Sequence, residues 1–288
     1  MNWSPRREQF RKILTGKHCV HPASVFDPIS ARIAEDLGFE VGMFAGSVAS
    51  MTVLGAPDLI VLTLSEFAHQ AYRINRAGEL PLLVDADHGY GNALNVKRTV
   101  EELETAGVAA LTIEDTNLPQ QFGMVGTTRL IPITEGVGKM KAAIEGRSDP
   151  SLVIAGRTSA ISMTGLEDTI LRAKAYEAAG VDAMFFTGVQ ERAQLDALAE
   201  ALIVPILLGG TSCEIHDLDY LSARRVRIAL QGHQPFLAAV NAVRETLKAL
   251  REGTQPDKLP GVASSALMKR VTRDNHYRDS IDEFLGEG

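Results

Sequence analysis

The chain predicts an α/β fold, a single (β/α)₈ barrel over residues 1–253 with a C-terminal helical tail over residues 254–288. Three observations carry this. AEDLGFEVGMF, LETAGVAALTIED and YEAAGVDAMFF each run a helical pattern into a glycine (Gly38, Gly107, Gly180) and then into an apolar strand. Glycine closes a helix well because positive φ costs it least. These glycines recur about 70 residues apart, and one βα unit needs about 30 or more, so each interval holds two units. Finally, eight short apolar runs lack alternation, which argues a parallel sheet covered by helices. Eight units argue closure into a barrel, for which 288 residues is an ordinary length. A doubly wound open sheet is the alternative, because periodicity does not report closure.

In order, the strands are PASVF, EVGMFAG, PLLVDAD, AALTIED, LVIAGRT, DAMFFTG, PILLGG and RIALQG. Helical patterns lie between them. In NVKRTVEELETAG, Val96, Val100 and Leu103 fall on one face, and EGVGKMKAAIEG offers Val137, Met140 and Ile144. The eighth helix, QPFLAAVNAVRETLKALREG, carries Phe236, Val240, Val243, Leu247 and Leu250 before Gly253. Beyond it TQPDKLPG reads as a linker and SALMKRVTRDNHYRDSIDEFL as one or two short helices. A neighbouring subunit or open solvent is their expected setting. No low-complexity segment and no second domain are read.

Composition narrows the class of function. With 45% hydrophobic and 23% charged residues the chain reads as globular. A net charge of −7 without a basic block argues against nucleic acid and anionic membranes as partners. MNWSPRREQF has no apolar core of a secretory signal, and LIVLTL and ALIVPILL are too short to span a bilayer. Cys19 and Cys213 make neither a disulfide framework nor a metal-site spacing. A cytoplasmic protein is the expectation.

Barrel active sites lie at the carboxyl ends of the strands. Those ends read Ala45-Gly46-Ser47, Asp85-Ala86-Asp87-His88, Glu114-Asp115, Arg157-Thr158, Thr187-Gly188, Gly209-Gly210 and Gly232-His233 for strands two to eight. Acids gather on strands three and four, and a cation stands on strand five. Asp85 and Asp87 are two apart on a strand, so their side chains share a face and repel unless a cation intervenes. A hard divalent ion such as Mg²⁺ suits one or two carboxylates, waters and substrate oxygens. Glu114 is placed to bind the ion or its waters. The same acids could instead accept from loop N–H groups or pair with Arg157. Arg157 matches a substrate carboxylate bidentately, or serves as a structural partner of the acids. Gly46-Ser47 opens a turn whose N–H groups and hydroxyl could cradle a carboxylate. His233 stands directly at a strand end. His88 reads as a supporting group that bonds a loop carbonyl or orients an acid, and Tyr90 as packing.

VFDPISARIAEDLGFE, AGSVAS, DADHGYGN, ALTIEDT and the AGRTSA arginine together resemble the isocitrate lyase/phosphoenolpyruvate mutase superfamily. The likeness covers residues ~10 to 253, in order and at fitting intervals. It implies a (β/α)₈ barrel whose eighth helix is exchanged between subunits of a homotetramer, a dimer of dimers. It also implies Mg²⁺, with Mn²⁺ as a substitute, near Asp85, Asp87 and Glu114, and an α-keto or α-hydroxy carboxylate as substrate; for this chain a small α-keto dicarboxylate is the expectation.

Within the superfamily, lyase members carry Lys-Lys-Cys-Gly-His in the loop after strand four. Here that loop is NLPQQFGMVGTTRL, without cysteine or histidine, and it offers only Arg129 to phosphoryl-type chemistry. Loss of CO₂ from a β-keto acid needs neither. VFDPISARIA, AGSVAS, DADHGYGNALNV, ALTIEDT and the final QGH resemble the bacterial oxaloacetate decarboxylase group. That likeness implies that Ser47 and Arg157 bind substrate, Asp85 binds Mg²⁺, and His233 contacts substrate near the leaving carboxylate. Thr211 stands where some members have tyrosine. The expected activity is decarboxylation of oxaloacetate to pyruvate and CO₂ through an enolate stabilised by Mg²⁺. A carbon–carbon lyase acting on a substituted malate or another β-keto acid, and a non-catalytic α-keto acid binding protein, are the alternatives.

Overall fold

The structure, a computed structural model, describes residues 2–123, 126 and 128–286. Met124, Val125 and Thr127, in the loop where the superfamily's branches diverge, lie outside the described residues. All eight expected strands form: β1 (Ala23–Ser24), β2 (Gly42–Phe44), β3 (Leu82–Asp85), β4 (Ala110–Glu114), β5 (Val153–Thr158), β6 (Ala183–Phe186), β7 (Ile206–Leu208) and β8 (Val226–Ala229). They make one parallel sheet in chain order. A parallel bridge joins Val20 to Ile228, with the Val20 N–H donating to Arg227 O at 2.9 Å and the Ala229 N–H donating to Val20 O at 3.0 Å. The segment leading into β1 therefore pairs with β8, and the ring closes. This decides against the open sheet.

Helices follow the strands: α1 (Ser4–Thr15) before β1, then α2 (Pro28–Asp36), α3 (Gly46–Ala49), α4 (Leu64–Asn75), α5 (Ala93–Thr105), α6 (Ile133–Gly146), α7 (Ala160–Met163), α8 (Leu166–Ala179), α9 (Arg192–Ala201) and α10 (Leu218–Ala223). The expected helix-ending glycines have φ of 82° at Gly38, 86° at Gly107 and 103° at Gly180. Asn92 caps α5 by accepting from the N–H groups of Leu94 and Asn95, and Val96, Val100 and Leu103 are fully buried on its inner face. Apolar residues of the strands and of these inner helix faces merge into one core.

α1 has no counterpart in the sequence-based expectations. Its buried face mixes Arg6 and Arg7 with Phe10 and Leu14, which hides the apolar period. The arginines go to the starts of the middle strands. Arg7 Nε donates to Val108 O at 3.0 Å, and Arg11 Nε donates to Ser151 O at 2.9 Å.

The chain divides into two compact units between His233 and Gln234. The second unit holds α11 (Gln234–Arg251), α12 (Ser265–Thr272) and α13 (Asp274–Leu285). No residue of α11 is buried, and Leu237, Val240, Val243, Leu247 and Leu250 are exposed. Among the described residues no helix is long and apolar enough to cross a membrane.

Candidate active site

The site begins where β3 stops. The strand is apolar through Val84 and ends at Asp85, and Asp87 lies beyond it with φ at 48°. Asp85 and Asp87 therefore do not share a strand face by alternation, as the spacing suggests. The chain leaves the extended conformation because the Asp87 N–H turns back to donate to Asp85 Oδ1 at 3.1 Å. Both side chains still line the same mouth. Among the bonds that hold the turn, the Glu114 N–H donates to Asp87 O at 2.8 Å, and the buried Lys139 Nζ donates to His88 O at 2.9 Å. It is the His88 carbonyl that works here. The imidazole is buried, its Nδ1 finds no partner among the described residues, and burial followed by the Lys139 charge pushes its pKa down to about 4. The expected supporting role of the His88 side chain is thus not seen. Tyr90 packs its ring beside Phe67, as expected.

A cavity of about 540 Å³ opens at the carboxyl ends of the strands. Asp85, Asp87, Glu114, Arg157, Ser47 and His233 all line it. Gly46 is buried beside Asp87, and a Cβ there would lie 2.6 Å from Asp87 Oδ1. Its missing side chain is what lets that carboxylate in. Asp58, in the loop after β2, also lines the cavity and was beyond sequence reasoning. It sits at no strand end, and only the fold carries it to the rim.

Four carboxylates share this mouth with one guanidinium. Arg157 pairs through Nη1 with Asp85, and its Nε lies 3.3 Å from Glu114 Oε2. Its ring neighbour is Phe185, 5.6 Å from the guanidinium carbon. Burial, then the charges of Asp85 and Glu114, push the Asp87 carboxyl well above its usual range, and Arg157 only partly opposes them. Glu114 is raised by burial against the pull of Arg157. So both alternatives for the acids occur together: Asp85 accepts a loop N–H and pairs with Arg157, while Asp87 remains crowded by like charge. Asp115, next to Glu114, belongs elsewhere. Its Oδ2 accepts from Thr158, Arg172 and Tyr176, beneath the mouth.

These donors fit a hard divalent cation held by few protein ligands. Among the described residues no three His, Cys, Asp or Glu side chains converge as a closed metal cluster. Mg²⁺ needs no such cluster, since it keeps several waters and accepts one or two carboxylates. The crowded Asp87 carboxyl is the observation that asks for a positive charge.

His233 follows Gly232, whose φ of 84° turns the chain out of β8. Its Nδ1 lies 2.9 Å from Ser24 Oγ, and burial lowers its pKa against the opposing charge of Asp85, which favours the neutral imidazole. Ser24, like Asp58, carries no sequence signal. It is one small polar residue in an apolar strand.

A family model described as phosphoenolpyruvate phosphomutase matches residues 10–251. An oxaloacetate decarboxylase of Rhodopseudomonas palustris (strain BisB18) is 63% identical over 286 residues, covering 99% of this chain and 99% of that relative. Among solved structures, a phosphonopyruvate hydrolase complex with oxalate and Mg²⁺ superposes with a TM-score of 0.85 at 26% identity, over 97% of this chain and 99% of that one. A 2,3-dimethylmalate lyase, described as a member of the PEP mutase/isocitrate lyase superfamily, superposes with a TM-score of 0.83 at 25% identity, over 96% and 98% of the two chains. With a barrel of the same course and a match along nearly its whole length, the chain belongs to the PEP mutase/isocitrate lyase superfamily.

Proposed function

We propose that this chain is a carboxy-lyase that decarboxylates oxaloacetate to pyruvate and CO₂, with Mg²⁺ as cofactor and Mn²⁺ as a substitute. Full-length relatives named oxaloacetate decarboxylase support the reaction. The observation that carries it in the site is the pairing of a crowded acidic mouth with one arginine and one neutral histidine. Among the described lining residues there is no cysteine to protonate a cleaved fragment. Decarboxylation asks for none, since CO₂ departs without proton transfer.

Asp85 and Asp87 would hold the cation, with Glu114 and Asp58 placed to accept from its waters. When bound, the cation supplies a Lewis acid for the negative charge that develops on the keto oxygen. Arg157 pairs through Nη1 with Asp85 and keeps its Nε 3.3 Å from Glu114 Oε2 without a hydrogen bond, which holds the guanidinium between the two acids. Its Nη2 pairs with no described residue and is left for the substrate's C1 carboxylate, with the Ser47 hydroxyl and the Gly46-Ser47 turn on the same group. His233, neutral, holds the distal carboxylate by one hydrogen bond. The C3–C4 bond breaks, its electron pair forms the enolate C2–C3 double bond, CO₂ leaves neutral, and C3 then takes a proton from water. A group that binds only while the carboxylate is oriented contributes to kcat rather than to uniform binding.

The chain acts as a homo-oligomer in this reading, a tetramer of two dimers that exchange α11. The exposed apolar stripe of that helix supports it. A cytoplasmic location goes with the reading, as does a partner set without nucleic acid or membrane.

The experiment is direct. Oxaloacetate is supplied with Mg²⁺, and pyruvate and CO₂ are measured with and without protein. Turnover above the rate for free Mg²⁺, abolished by chelation and in folded Asp85→Ala, is expected. Equal rates with and without protein leave a binding protein, and release of oxalate and acetate leaves a different lyase; either outcome overturns the proposal.

A further inference from the structure

We propose that Ser24 is a positioning residue that sets the tautomer of His233, so that the imidazole presents Nε2–H to the cavity. The inference deepens the decarboxylase reading, which supplies the use of that N–H.

Ser24 is the last residue of β1, in register with Met43 of β2. Because the segment before β1 closes onto β8 through Val20 and Ile228, the end of β1 lies beside the turn that follows β8. That turn swings through Gly232 and brings His233 to Ser24, with Oγ 2.9 Å from Nδ1. The distance alone leaves the direction of the bond open, since a hydroxyl can donate or accept. The surroundings close it. Ser24 is 7% exposed, and His233 is the one described side chain or carbonyl that its hydroxyl meets. If Oγ accepted from Nδ1–H, its own proton would be left without an acceptor in a buried place, which native interiors avoid. Donation from Oγ–H to Nδ1 spends that proton, makes Nδ1 the acceptor and puts the ring proton on Nε2.

The charge of the cavity favours the same arrangement. With Asp85 close enough to act on His233 and further carboxylates across the mouth, an N–H facing inward is attracted where a lone pair would be repelled. A neutral Nε2–H donor is also what a departing carboxylate needs: it holds the anion while it is ionised and does not hold neutral CO₂. Ser24 touches no reacting atom. Its role is to keep the second nitrogen from taking the proton.

The test reads the tautomer and the chemistry separately. Histidine ¹⁵N shifts are recorded on the Mg²⁺-loaded full chain for wild type, Ser24→Ala and Ser24→Thr, with His233→Gln assigning the signal. Wild type and Ser24→Thr should show the Nε2–H form, and Ser24→Ala a mixture of the two neutral forms. In oxaloacetate turnover Ser24→Ala should lose at least about tenfold in kcat with KM little changed, and Ser24→Thr should recover most of the loss. An Nδ1–H tautomer in wild type overturns the proposal, as does a Ser24→Ala variant whose tautomer or kcat is that of wild type. If Ser24→Ala does not fold, the wild-type and Ser24→Thr spectra still decide the tautomer. If no variant turns over oxaloacetate, the decarboxylase reading fails while the spectra stand.

Discussion

A Cβ built on Gly46 would lie 2.6 Å from Asp87 Oδ1 and 2.7 Å from Oδ2, closer than real contacts come. The Asp87 carboxylate is therefore seated against bare backbone, and an alanine there would push it away. Because Gly46 sits at the opening of α3 with ordinary φ, alanine suits its backbone and the fold should stand. Gly46→Ala is expected to weaken Mn²⁺ affinity by about 10–100-fold, as do changes to groups that orient ligands, with the melting temperature little altered. Paramagnetic titration of Mn²⁺ checks this, and an unchanged affinity would show that Asp87 needs no such seat. At this scale Asp85, Glu114, Arg157 and His233 were legible as charged or polar residues ending apolar strands. Asp58 and Ser24 were not, since one lies in a loop and the other is a lone hydroxyl in a strand.

α1 shows how an element can be tied by charge where its own pattern is silent. Asp149, in the turn before β5, accepts from Arg7 Nη1 at 2.8 Å and Ser4 Oγ at 2.8 Å, and from the Ser151 N–H at 2.9 Å. Burial alone would raise its carboxyl, but the Ser151, Arg7 and Ser4 donors outweigh it and hold it well below the usual carboxylate range. A depressed folded pKa means that the native state binds fewer protons than the unfolded chain, whose Asp titrates near ~3.9. The contribution is therefore present above about pH 4 and is lost as acid approaches the folded pKa. Asp149→Asn should cost about 1–3 kcal/mol near pH 7. Urea unfolding at pH 7 and pH 3 checks it: the gap from wild type should narrow at the lower pH. A gap that widens in acid would mean that the carboxylate is not the group that counts. The strands were legible because each is a short apolar run bounded by glycine or acid, whereas α1 buries arginines that look like surface residues.

Leu237, Val240, Val243 and Leu247, each more than half exposed, make a stripe along α11 that a lone chain leaves in water. Exposed apolar patches of this kind mark interaction surfaces. A homotetramer is the expected state, and light scattering at micromolar concentration should give four times the 31.1 kDa chain mass. Paired Val240→Glu and Val243→Glu changes should lower the measured mass, and a wild-type monomer would overturn the assembly.

The eight βα units, their order and the strand ends on which most of the chemistry stands are legible in the amino-acid sequence alone. Local pattern suffices there, because strand burial, helix periodicity and glycine at positive φ are properties of adjacent residues. Closure of the ring through Val20 and Ile228 belongs to the tertiary structure, as do the left-handed turn that puts Asp87 against Gly46 and the meeting of Ser24 with His233. Each of these joins residues that are distant in the chain or depends on a backbone angle that no side-chain pattern reports. A barrel brings its first and last strands together only when the whole ring has formed, so the contact that orients His233 exists only in the folded molecule.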